Sequence, residues 1–387
     1  MTLRIVFWVS LGVVLVAYAG YPLGVMALSR LVGRRVRKGP VAGRVSFIVA
    51  AHNEEATIER RVRNLLEQKG VEIAEAIVGS DGSTDRTEAI VSGLADDRVK
   101  LVCLPERRGK PAVLNACVKC ATGEYLVFGD ARQTFDPAAA ARLVENFADM
   151  TVRCVSGELV LQEADGSSAG VGLYWKIEKL IRKSESRLYS TVGATGAIYA
   201  VRRVDWRELP ADTLLDDVVA PLLAQRGGGR TVFEPRALAY DRLAGNEREW
   251  PRKVRTLAGN FQLLFSPRRH GNPFRPATCL AFLGHKVSRL AVPPAMVGAL
   301  MGTFSFSGPL FWILLGAQLG GYAAALAGWI LECRGRHSRF TSVPLTLVTL
   351  NLAVVVGLWR YLTGRQAVQW ERSAATTGAN PTTEGER

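Results

Sequence analysis

Three stretches of this chain carry no charged residue: Ile5 to Ser29, Leu290 to Leu331 and Phe340 to Trp359. Nothing else in the sequence limits the fold so strongly. About 20 apolar residues in a helix cross a bilayer, because a helix satisfies every backbone polar group without water. The middle stretch is long enough for two crossings, with a break near Ser307-Gly308-Pro309. The first is too long for a secretory leader and has no small-residue cleavage site before the basic cluster, so it reads as an uncleaved anchor. Arg30, Arg34, Arg35, Arg37 and Lys38 follow it, against Arg4 alone before it. Positive flanks stay on the cytoplasmic side. The expectation is a multi-pass protein of the plasma (inner) membrane, bound to the lipid bilayer, with its soluble domain in the cytoplasm.

The net charge of +14 follows those membrane edges. No stacking motif interleaves it, so no nucleic-acid partner is expected. Six cysteines are scattered, and the one close pair, Cys117 and Cys120, has no second pair or His cluster with it. A zinc site is therefore not expected.

Between the apolar stretches, strands and helices alternate. Val45–Ala51 is apolar enough to be a strand buried on both faces. His52-Asn53-Glu54-Glu55 opens a helix through Gln68, with Asn53 as its cap. Strand Glu75–Gly79 runs into the turn-forming Ser80-Asp81-Gly82-Ser83-Thr84-Asp85, and strand Val99–Leu104 leads to a helix from Lys110. Strand Tyr125–Gly129 ends at Asp130. Such alternation gives an α/β fold with a doubly wound, mostly parallel sheet. It puts Asn53, Asp81, Lys110 and Asp130 on loops at one edge, where open α/β sheets hold ligands. Each also has a plain structural reading, as a turn, a cap or a solvated helix-start lysine. Trp175–Arg187 is heavily charged and reads as a solvated or headgroup-facing helix, and His285 as an interfacial residue.

Four blocks then occur in order: Val49-Ala50-Ala51-His52-Asn53-Glu54-Glu55, Ser80–Asp85, Gly109–Ala116 and Gly123–Ala131, with Leu214-Leu215-Asp216-Asp217 downstream. Their order and spacing resemble the inverting glycosyltransferase family 2, in particular the membrane-embedded branch that includes cellulose, hyaluronan and poly-N-acetylglucosamine synthases. The resemblance covers about residues 45–290. It implies a GT-A-like, Rossmann-like domain and a UDP-sugar donor, with Asp81 on the uridine, Asn53 and Glu55 near the nucleotide, and Lys110 at the base or diphosphate. Asp130 takes the first position of the Asp-x-Asp that ligates Mg²⁺ or Mn²⁺. The second is Arg132, so either one carboxylate suffices with phosphate oxygens or Arg132 supplies positive charge itself. Thr195 and Gly196 fall beside the acceptor pocket. Asp217 takes the place of the catalytic base. Asp216 and the apolar Leu214, Leu215, Val218 and Val219 around it are conditions that raise a carboxyl pKa. The same aspartates would cap the helix that follows. Arg255 is kept from the Gln-x-x-Arg-Trp of processive members, while the Trp is replaced by Thr256.

The expected organisation is an N-terminal anchor (1–30), a basic linker (31–44), a catalytic domain (45–250) and interfacial amphipathic helices (251–289). A membrane region of about three spans (290–362) and a partly disordered tail (363–387) complete it. The expected function is sugar transfer in polysaccharide synthesis, on a glycan or lipid-linked acceptor, alone, as a homo-oligomer or with a partner subunit. The alternatives are a single-sugar transferase acting on a lipid or lipid-linked acceptor, and a non-catalytic binding subunit.

Overall fold

The computed structural model describes residues 2–162, 169–242, 246–336 and 338–369. Of the expected tail (363–387), residues from 370 onward lie outside them.

Eight strands form one sheet in the order β3-β2-β1-β4-β7-β6-β8-β5. β1 (Arg44–Ala51), β2 (Glu72–Asp81), β3 (Val99–Leu104) and β4 (Tyr125–Asp130) are parallel, as the alternation predicts. β5 (Thr134–Phe135), β6 (Val152–Gln162), β7 (Tyr199–Arg202) and β8 (Arg230–Arg242) extend the sheet. There β4–β7, β6–β7 and β5–β8 are antiparallel and β6–β8 parallel, so the whole sheet is mixed.

Strand alternation explains why β1 has no polar face. Val45, Phe47, Val49 and Ala51 enter one core layer, and Ile48 and Ala50 enter the other. Tyr125 and Val127 against Leu126 and Phe128 repeat the split in β4. With both faces buried, polar residues gather toward the strand ends, and those inside the strands, such as Ser46 and Glu75, are paired. One end holds stability. Glu75, 2% exposed, accepts from Ser46 Oγ, from Lys100 Nζ at 2.8 Å, and from Thr122 N and Oγ1, each at 2.8 Å. Burial alone would raise this carboxyl, but these donors bring it down to about 2. A depressed carboxyl stabilises the fold above its unfolded pKa, and the contribution is lost as pH falls through the folded value. Acid titration between about pH 4.5 and pH 2 should therefore cost about 3 kcal/mol at this site. The acid limb of unfolding should flatten in Glu75→Gln, measured by denaturant midpoints.

Among the described residues, three helices are long and apolar enough to cross a membrane: Thr2–Val32, Gly308–Cys333 and Phe340–Leu362. The region expected to lie flat on the bilayer is different in part. Cys279–Ala281, Phe282–Val287 and Ser288–Leu290 lead almost without a break into helix Val292–Thr303. This run packs along the N-terminal helix in the opposite direction. Phe7 lies against Gly302, Ser10 against Gly298 and Tyr21 against Gly284, and a Cβ at any of the three glycines would come within 2.7 Å of its neighbour. Small residues allow that approach where apolar helices have no hydrophobic drive to associate.

Helix Ala169–Leu188 also departs from its expected solvated role. Glu178, Ser184, Glu185 and Ser186 are buried. His285 is buried too, with its two ring nitrogens 2.9 Å from Glu185 Oε1 and 3.0 Å from Glu178 Oε2. Charges that read as a surface face are the internal joint between the sheet domain and the apolar helices.

Candidate active site

The functional edge lies beyond the C-terminal ends of β1, β2 and β4. Register sets it: Ala51 pairs with Ser80 and Ala50 with Asp130, so three strands end level. Asn53 does not cap its own helix, which begins only at Ile58. It takes a left-handed φ of 55° and accepts through Oδ1 from Thr84 N at 2.7 Å and Asp85 N at 3.3 Å. Glu55 accepts from Arg86 N and Nε at 3.3 and 3.2 Å. Both residues staple the loop after β1 to the loop after β2.

Asp81 is fully buried. Its carboxylate accepts from Arg108 N at 2.7 Å and from Gly109 N at 3.0 Å. Gly109 has φ 90°, a conformation natural to glycine, and that turn aims its N–H at Asp81. Asp81 thus anchors the loop leading to Lys110. The Lys110 ammonium bridges two carboxylates, Asp130 Oδ1 at 2.8 Å and Asp216 Oδ2 at 3.0 Å, and its side chain is only 16% exposed. Burial would lower the lysine pKa, but Asp130 and Asp216 outweigh it and raise it. The solvated-lysine reading does not hold. Burial would likewise raise Asp130, yet Lys110 above all, with Arg132 and Arg252, holds it below the usual aspartate value.

The second bridged carboxylate stands next to Asp217 at the start of helix Asp216–Ala224. Burial, reinforced by the charge of Asp216, raises the Asp217 pKa, while Lys110 and Arg182 pull back in part. Asp217 Oδ2 accepts from Gly196 N at 3.2 Å, and Ala194 N donates to the Asp217 carbonyl at 2.8 Å. Thr195 receives Arg182 Nη1 on its hydroxyl at 2.7 Å. One continuous line therefore runs from the loop anchored by Asp81 through Lys110, Asp130 and Asp216 to Asp217, with Thr195 and Gly196 on its far side.

Two expected residues sit at the margin. Arg132 lies 3.8 Å from Asp241, and its charge reaches Asp130. Arg255 donates through Nη2 to the carbonyls of Leu214 at 3.3 Å and Val368 at 3.0 Å. Gln369 Nε2 donates to the Arg107 carbonyl at 3.3 Å. The segment after the last apolar helix thus returns to the loop before Lys110 and lies on the same side as the sheet domain.

Two arginines that no motif singles out also reach the site. Arg252, one turn before Arg255, adds its charge to Asp130. Arg61 is 1% exposed, lies 3.9 Å above the Phe135 ring and reaches the floor beneath Asp130, where a Cβ on Gly129 would meet its Nη2 at 2.3 Å. Its place was legible, since Ile58, Val62 and Leu65 mark the same buried helix face.

The donor set fits a divalent ion that takes one protein carboxylate, Asp130, and completes its shell with phosphate oxygens and water. It does not fit an ion held by two carboxylates of an Asp-x-Asp, because Ala131 and Arg132 follow. Among the described residues no group of three or more His, Cys, Asp or Glu is placed to hold a metal.

Residues 46–208 match Glycosyl transferase family 2. The succinoglycan biosynthesis protein ExoO of Rhizobium meliloti is 29% identical over 205 residues, which is 50% of this chain and 59% of that protein. The poly-beta-1,6-N-acetyl-D-glucosamine synthase of Staphylococcus aureus is 26% identical over 232 residues, 57% of this chain and 55% of that protein. The chain thus spans little more than half the length of these relatives. Among solved structures, the mannosyltransferase PcManGT of Pyrobaculum calidifontis, in complex with GDP-Man and Mn²⁺, superposes with a TM-score of 0.71 at 23% identity. That match covers 94% of this chain and 99% of PcManGT, and it shows the GT-A fold.

Proposed function

We propose that this chain, a glycosyltransferase carrying a family 2 domain, moves a sugar from a nucleotide diphosphate donor to an acceptor hydroxyl with inversion, in the synthesis of a cell-envelope glycan. One observation carries the reading: the Asp130–Lys110–Asp216 ion chain ends beside Asp217, a carboxyl with a raised pKa. A carboxylate whose pKa is moved toward neutrality is suited to accept a proton. Asp217 takes the proton of the acceptor hydroxyl, and the oxygen attacks the anomeric carbon. The bond to the nucleotide diphosphate breaks on the opposite face. Lys110 and Arg252 meet the charge that develops on the departing diphosphate, in a site already arranged for it. A divalent ion bound at Asp130 would supply further neutralisation of that diphosphate. Asn53, Glu55 and Asp81 shape the loops that flank the nucleotide, and Thr195 and Gly196 border the acceptor.

The relatives' names support polysaccharide synthesis, and the three apolar helices support a membrane setting. The donor is read as a UDP-sugar from the family resemblance, while PcManGT was solved with GDP-Man. A donor screen tests the assignment. Membranes containing the protein, given UDP- and GDP-sugars with Mg²⁺ or Mn²⁺, should release nucleotide from one UDP-sugar. Release from none of them would leave a binding subunit, and release from a GDP-sugar alone would move the donor class. Labelled-product length then separates a polymer from a single added sugar.

A further inference from the structure

Sugar transfer by Asp217 leaves unexplained why a full positive charge is sealed beneath the donor side of the site. Arg61 is among the largest fully buried side chains of the protein. Its Nη1 donates to Asn64 Oδ1 at 3.3 Å, and the Phe135 ring lies 3.9 Å from its Cζ. Nε and Nη2 have no hydrogen-bond partner among the described residues. An amide oxygen and a ring face do not cancel a unit charge, and burying one without a counterion is costly. Burial brings the guanidinium down to about 9, so it stays charged at neutral pH, and the anion whose charge reaches it is Asp130. The backbone makes that approach possible. Where a Cβ on Gly129 would stand, Arg61 Nη2 is 2.3 Å away, and Ala197 O and Phe135 Cζ are each 2.9 Å away. The guanidinium therefore lies against the residue before Asp130 and close to the residue after Gly196. At 1% exposure it cannot touch a ligand itself. Asp130 meanwhile shares Lys110 with Asp216, and Arg132 stands 3.8 Å from Asp241. An ionised carboxylate facing a diphosphate repels it unless a cation offsets the charge.

We propose that Arg61 is a positioning residue of the donor site, a fixed cation behind Asp130 that offsets its carboxylate and lets the protein hold a nucleotide diphosphate without a metal ion. The proposal rests on the glycosyltransferase reading and adds which residue of this chain shares the electrostatic work of a divalent ion. Its effect passes through Asp130 and through the low-dielectric floor of the sheet, where charges act at longer range than in water. A divalent ion bound at Asp130 would tighten the donor further, but it would not be the sole answer to the diphosphate charge.

The test is calorimetric titration of UDP and GDP into the full chain in detergent micelles, once with EDTA and once with Mn²⁺. Wild type should bind one of them in both conditions. At about pH 8 a free nucleoside diphosphate carries about three negative charges and its Mn²⁺ complex about one, and the Coulomb energy scales with that charge. Arg61→Met should therefore weaken binding by about 10-fold in EDTA and only about 2-fold with Mn²⁺. Arg61→Lys, which keeps the charge, should stay close to wild type in both. A purely structural Arg61 would lower the two affinities by the same factor. Equal losses in Arg61→Met, no loss at all, or the same losses in Arg61→Lys each overturn the proposal, as does a wild type that binds only with Mn²⁺. Replacing a buried charge by an apolar chain of similar reach is compatible with folding. Should Arg61→Met not fold, Arg61→Gln removes the charge and keeps a donor for Asn64, and the same comparison applies. A wild type that binds neither nucleotide in either condition overturns the glycosyltransferase reading together with the proposal. Binding in wild type with equal losses in the variant sinks the proposal alone.

Discussion

Asp217→Asn should lower turnover by about 10²–10⁴-fold and at the same time make the protein harder to unfold. Both effects have one cause. Burial and the neighbouring Asp216 charge disfavour the ionised form of Asp217, so its folded pKa lies above the unfolded one. The fold is favoured when this group is protonated, and that advantage fades as pH rises through the raised pKa. At neutral pH the ionised Asp217 is therefore a net strain that Asn removes, while Gly196 N keeps an oxygen to donate to. The gain in melting temperature should be present at about pH 7.5 and vanish on acidification toward the carboxylate range. In the wild type the same group sets an acid limb of kcat/KM above the ordinary aspartate value. An Asn variant that transfers sugar at the wild-type rate would remove Asp217 from the base role whatever its stability.

Lys110→Met should be the most damaging single substitution at the site. Its ammonium is the shared partner of Asp130 and Asp216. Taking one member out of a buried ion group costs about 3–5 kcal/mol, and here the low end of that range is expected, because Asp216 stays buried without a partner while the Asp130 side chain is 36% exposed. The pH dependence should reverse. In the wild type the depressed Asp130 stabilises the fold at neutral pH and loses that effect as pH falls through its pKa. In Lys110→Met, Asp130 and Asp216 repel each other when ionised, so acidification toward about pH 4 should narrow the gap to wild type. Melting temperatures of both proteins across that range measure it, and a gap that stays constant with pH would contradict the ion-chain account.

The parallel half of the sheet could be read from the sequence because β1, β4 and the second half of β2 are apolar on both faces and end in turn-forming residues. The placement of Asn53, Asp81, Lys110 and Asp130 on one edge follows from that pattern, whereas Asp217 is implied by the family resemblance alone. The antiparallel half was harder, since β7 (Tyr199–Arg202) pairs with β4 and β6 across long stretches of chain that no local period records. The buried joint was illegible for a related reason. Glu178 and Glu185 are separated in sequence from His285 by 107 and 100 residues, so their helix looked like a solvated face. Asn53 reads as a helix cap from the sequence because its partners, Thr84 and Asp85, belong to a different loop. Arg61 lay on a face the hydrophobic period had marked, but a charge on such a face reads by default as one that reaches for solvent.

The return of Val368 and Gln369 to Arg255 and to the loop before Lys110 has a mechanical meaning. Helix Arg339–Leu362 is tied at one end, through a few residues, to Arg255 and to the loop before Lys110. A helix that tilts to match the thickness of its bilayer then acts as a lever on that loop. In the membrane setting proposed above, lipid chain length would become a variable of nucleotide affinity, and the surrounding bilayer would take part in setting how firmly the proposed donor is held.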